Sequence, residues 1–212
     1  MHRVTWLALL SLACSNVPAR PPSPAPTSPE QLAAVIIAAD SAGDWATLLR
    51  FAHPDALEDF HRTQVTMLEP TTFEGLEFCM IGSRSATFAK QRESHLRFTL
   101  DSIFLVPSVD SLKHLPAGTA FARYGQYWAR VSRSPRLPDR PTRKILGGVS
   151  GPASTSYVVV YEHYATRPFP DWPTERTEIM TFRQVAGTWR SMLDGPVQLG
   201  SASAMAVFED GD

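Results

Sequence analysis

The hydrophobic period of this chain changes once, near residue 143, and that change constrains the fold more than any other feature. Upstream, apolar residues recur at helical spacing: Leu32, Val35, Ile36 and Ala39, then Phe121, Tyr124, Trp128 and Val131. Downstream, "RKILGGVS", "TSYVVVYEHYA", "TERTEIMTFRQV" and "TWRSMLD" alternate with period two, as strands with one buried face do. Helices followed by neighbouring strands predict an α+β fold with an antiparallel sheet and exclude a βαβ arrangement. No internal repeat is present.

The helical half carries its own punctuation. Ser28-Pro29-Glu30-Gln31 reads as an N-cap, a proline at the first helical position and a residue able to close a capping box. Gly43 ends that helix, Asp44 can cap a second, and His53-Pro54-Asp55 starts a third reaching Leu68. Leu96, Leu100, Ile103 and Phe104 suit a helix, although "HLRFTLD" also alternates as a strand would; Asp110 to Leu115 suit a single turn, and Phe121 to Val131 one face of a longer helix. In the second half, Gly151-Pro152 breaks the first strand pair, and "VAGTW" at 185–189 makes a tight hairpin of the last two.

The N-terminus concerns address rather than fold. Met1-His2-Arg3 is a short basic start, and Val4 to Ala13 is an uncharged apolar run. Ten helical residues rise only about 15 Å, half the hydrocarbon thickness, so the run is too short to span a bilayer and fits a cleavable signal peptide. Six prolines follow between Ser15 and Pro29. Such a segment prefers extended polyproline II and reaches roughly 45 Å.

Leu10-Ser11-Leu12-Ala13-Cys14 resembles the lipobox of bacterial lipoproteins, departing from the commonest pattern at Ser11. The resemblance implies cleavage before Cys14, acylation of its thiol and new amino group, and a lipid-anchored envelope location on a periplasmic or surface face. In a cell with two membranes it implies the outer one. The proline-rich segment then acts as the spacer holding a domain clear of the headgroups, and several acyl chains meet the requirement for stable anchoring. The expected division is a signal peptide at 1–13, a lipidated linker at 14–28 and one α+β domain at 29–212. Acylated Cys14 leaves Cys79, in "LEFCMIG", without a disulfide partner, and its apolar neighbours predict a buried thiol.

The order "VVVYE", "EIMTFR", "AGTWR" is similar to the end of the nuclear-transport-factor-two-like cone fold. That resemblance implies helices packed on a curved antiparallel sheet enclosing a pocket. It selects no activity, because the family holds isomerases, dehydratases, epoxide hydrolases and noncatalytic binding proteins. In "YVVVYEHYA", Tyr157, Val159, Tyr161 and His163 point one way, and Val158, Val160, Glu162 and Tyr164 the other. Under the resemblance, Tyr124, Trp128, Tyr161, His163 and Glu178 are the expected pocket residues.

Other patterns argue for structure rather than chemistry. The chain lacks a P-loop, a dinucleotide fingerprint, a nucleophile elbow and metalloprotease, Cys-x-x-Cys or calcium-loop spacings. "GGVSG" at 147–151 precedes a strand and predicts a bulge and a turn. "HPDALEDFH" at 53–61 puts Glu58 and His61 on one helix face, where they could hold a metal, but its acids also suit a solvated, dipole-matched helix start. The run 123–144 has six arginines, one lysine and the single acid Asp139, suiting a solvated loop or contact with anionic lipid or an acidic partner. Net charge is −1, and the export signal makes nucleic acid an unexpected partner.

The sequence therefore predicts an anchored module that binds a small apolar ligand or a protein, with no catalytic residue, metal or cofactor assigned. The alternative is a small isomerase- or dehydratase-type enzyme working by acid–base transfer from the 157–164 and 175–182 strands.

Overall fold

The computed structural model describes residues 25–69, 93–131, 141–165 and 173–195. The signal peptide, Cys14, Cys79 and the centre of the basic run lie outside the described residues, as does most of the proline-rich linker.

Three helices open the fold, with breaks where the sequence predicts them. Helix α1 spans Pro29–Ala42. The Ser28 hydroxyl accepts the Gln31 amide at 3.3 Å, while the Gln31 side chain accepts the Thr27 amide at 2.9 Å, one residue before the expected partner of a capping box. Gly43 closes α1 in the left-handed conformation at φ 67°, where it meets no Cβ penalty. Helix α2, Trp45–Phe51, is capped by Asp44, and α3, Pro54–Leu68, by the His53 imidazole, whose Nδ1 accepts the Asp55 amide at 3.1 Å. Helical residues 93–98 lead into a π-helical turn, Thr99–Phe104, followed by α4, Val109–Lys113, and α5, Ala117–Val131.

Strands β1 (Thr142–Ser150), β2 (Thr155–His163), β3 (Glu175–Val185) and β4 (Thr188–Ser191) form a four-stranded antiparallel sheet in sequence order. The fold is α+β. The glycines of "GGVSG" do what their spacing predicts: the β1–β2 register shifts between Ile145 and Gly147, a β-bulge. Between β3 and β4, Ala186 and Gly187 both have positive φ, as a two-residue hairpin that matches strand twist requires.

Two apolar clusters hold these elements together. The first joins Leu32 and Ile36 of α1, Leu48 of α2 and Phe121 of α5 to Val158, Val160, Met180 and Phe182 of the sheet, all fully buried. The second lies among helices and contains Leu68, Leu100, Phe104, Leu112, Tyr124 and Trp128. Trp45 and Phe60 bridge the two, each packing edge-on against Phe121 and Tyr124 with ring centroids 5.2–6.1 Å apart. Gly125 makes room for this bridge, because a Cβ there would lie 2.4 Å from the Trp45 ring. The sheet thus has one face against helices and another that the described helices leave open.

Candidate functional site

Strand register brings three charged residues into one row. Arg143 on β1 pairs with Glu162 on β2, and Glu162 with Arg176 on β3. Alternation puts Glu162 on the same face as Val158 and Val160, so its carboxylate is carried inside and is 0% exposed. Arg143 Nε donates to Glu162 Oε1 at 2.6 Å, and Arg176 Nε donates to Oε2 at 2.6 Å. The Tyr164 hydroxyl reaches Oε2 at 3.5 Å, and the Arg176 guanidinium lies over the Tyr164 ring at 5.8 Å. Each arginine has a second acid: Arg143 binds Asp40 near the end of α1, and Arg176 lies 3.2 Å from Glu178.

This row joins the ends of three strands and α1. Arg143 is 8% exposed at its side chain, and although its burial opposes the charged form, Asp40 and Glu162 together raise its pKa above the ordinary value. Burial raises Tyr164, with the Glu162 carboxylate adding to the shift. Both Glu162 oxygens hold guanidinium donors, so the carboxylate serves as a cross-strand tie. One guanidinium N–H fills an acceptor site on each oxygen, and the carboxylate is shut away from water.

The opposite face of the same strands has a different chemistry. Register aligns Lys144, Tyr161 and Thr177 in one row, Gly147, Val159 and Ile179 in the next, and Val149, Tyr157 and Thr181 beyond them. Leu146 at the bulge is 56% exposed, Val149 61% and Ile179 53%, while Tyr157, Val159 and Tyr161 are half-buried. The end of this face carries His163 and Glu175, with His163 Nδ1 3.7 Å from Glu175 Oε1. Burial raises the Tyr161 phenol, as does its hydrogen bond to Glu175. The face thus carries aliphatic side chains flanked by tyrosines and edged by charges.

The residues predicted for a pocket are separated by the structure. Tyr124 and Trp128 are buried in the helical cluster, with ring centroids 5.9 Å apart, and burial pushes the Tyr124 phenol up to about 12. Tyr161 and His163 stand on the open sheet face. Glu178 belongs to the inner face beside Arg176. The strands themselves lie between Glu178 and the Tyr161–His163 pair. Near the other candidate cluster, His61 is buried and its Nε2 bonds the Leu112 carbonyl at 2.8 Å, pinning α3 to α4, whereas Glu58 is exposed. Among the described residues, no group of three His, Cys, Asp or Glu gathers as a metal site, and no helix is long and apolar enough to cross a membrane.

Sequence reasoning missed the Arg143–Glu162–Arg176 row as a unit. Its signal was present: Glu162 is a charged residue in alternation with two valines on the face that becomes buried. What alternation alone lacked was the register that sets an arginine on each side. The described residues form an α+β module with an ion-paired inner sheet face and an outer face of mixed aliphatic, tyrosine and polar side chains that the described helices leave open. No family model, curated protein or solved structure matches the chain.

Proposed function

We propose that this protein is a lipid-anchored envelope lipoprotein whose domain is a noncatalytic protein-interaction module, using the outer face of its sheet as the docking surface. The anchor is Cys14, reached after removal of residues 1–13, with the proline-rich linker as spacer and the lipid bilayer as first partner. The domain is read as a variant of the cone fold. Helices on one face of an antiparallel meander and a bulge in β1, a device that bends strands, support that reading.

The observation that carries the functional reading is the contrast between the two sheet faces. The inner face is filled by Val158, Val160, Met180 and Phe182 and tied by Glu162, while the outer face exposes Leu146, Val149 and Ile179 around two tyrosines. A protein partner fits an open face of this kind better than an enclosed small ligand does.

Native mass spectrometry of the full chain released from its membranes tests the proposal. The expected chain begins at a diacylglyceryl-modified Cys14, carries no small-molecule adduct and, when cross-linked in its membranes before release, is joined to a protein-sized partner. A reproducible bound mass of small-molecule size would overturn the interaction reading in favour of a ligand pocket. An unprocessed, unacylated chain would overturn the anchor.

A further inference from the structure

We infer that the partner seated on the outer sheet face is a second copy of this chain, related by a twofold axis running along β2. This inference rests on the interaction reading above and gives that partner an identity. A rotation about β2 exchanges β1 with β3 while keeping the ends of the sheet in place, so an isologous contact needs complementary groups on opposite edges at the same end. The face has them. Lys144 on β1 and Glu175 on β3 stand within one step of the same end, because Lys144 shares a row with Thr177, two residues from Glu175. Stacking two copies therefore brings each Lys144 within reach of Glu175 of the other copy. Both side chains are exposed, and among the described residues nothing from the helices covers them.

The apolar groups obey the same rotation. Leu146 at the β1 bulge and Ile179 on β3 flank Val159 at the same level of the sheet. Exchange of the edges sets Leu146 over Ile179 of the second copy, and Val159, near the axis, over its own counterpart. Aligned sheets pack about 10 Å apart, which suits a contact centred on Val159. Three strands of nine residues cover roughly 400 Å² per copy, about half the usual share of a stable interface. Such a contact is weak in dilute solution. Two chains anchored in one bilayer meet at a far higher effective concentration, so the dimer belongs to the membrane-bound state.

Thiol cross-linking in isolated membranes tests this with the full chain carrying Cys79→Ser. Val159→Cys, a near-isosteric change at a half-buried position, is expected to yield a covalent dimer with a short bis-maleimide able to span the ~10 Å between packed sheets, and the parent none. Adding Lys144→Glu is expected to cut the yield about tenfold by opposing like charges, and combining Lys144→Glu with Glu175→Lys to restore it. A dimer insensitive to these reversals would overturn the axis along β2. Adducts of another mass, without the dimer, would overturn the second copy while leaving the interaction reading intact. No cross-linked protein of any mass at the introduced thiol would overturn both.

Discussion

Replacing Glu162 by glutamine removes one charge and almost no volume, so its cost measures the buried tie directly. The carboxylate accepts two guanidinium Nε–H donors at 2.6 Å with no exposure to water. Glutamine keeps one accepting oxygen and turns an NH₂ group toward one of the arginines. Breaking a buried ion pair costs about 3–5 kcal/mol, because a desolvated charge loses its partner. Here Arg143 keeps Asp40 and Arg176 keeps Glu178, which places Glu162→Gln near the lower end, about 3 kcal/mol. That is a large part of the ~5–15 kcal/mol typical of a domain, and at this size it lowers the melting temperature by about 10 °C. Equilibrium urea unfolding of the intact chain, followed by circular dichroism, reads the difference. Because the pair is buried, the loss should persist in high salt, where an exposed pair is screened. A Glu162→Gln chain within ~0.5 kcal/mol of the parent, the range of an ordinary surface change, would mean that the buried tie adds no stability.

Other perturbations test the packing and the caps. Gly125→Ala places a methyl group 2.4 Å from the Trp45 ring, and overpacking of about 1–3 kcal/mol should outweigh the ~1 kcal/mol helix-propensity gain; a stabilised variant in thermal melts would contradict this. Tyr124, raised to about 12 chiefly by burial, holds its proton in the folded state where an unfolded tyrosine has lost it. Its contribution is complete below the ordinary value of 10 and lost as pH rises toward 12, so unfolding midpoints should fall across that window, less so in Tyr124→Phe. Asp44 is held below its ordinary value of 3.8 mainly by the Thr47 hydroxyl and then the Thr47 amide. Its stabilising effect is therefore present above 3.8 and fades as acid carries the pH through the lower folded value; Asp44→Ala should cost about 1 kcal/mol at neutral pH and lose that deficit in acid denaturation series.

Local signals wrote much of the fold into the sequence. Ser28, Asp44 and His53 each cap the helix they precede, and the switch to period two marks where the sheet begins, because capping and alternation are properties of a few adjacent residues. The β1 bulge was legible from its glycines for the same reason. The site was less legible. Glu162 faces the helices because the valines beside it do, but the arginines that hold it come from strands 14 and 19 residues away in sequence. Tyr124 and Trp128 share a helical face, as their spacing predicts, yet that face turns into the second apolar cluster rather than toward the β2 residues expected to join them. Which side of an amphipathic element meets which neighbour is decided by packing over the whole chain.

The outer sheet face should be covered when the protein sits in its own membrane. Hydroxyl-radical footprinting reads it most directly, comparing native membranes with protein dispersed in detergent. Leu146, Tyr157, Tyr161 and Ile179 should be protected in membranes and reactive once dispersed, while Met67 and Leu105, exposed elsewhere on the molecule, should react equally in both. Equal reactivity of the four sheet residues in the two states would contradict the account.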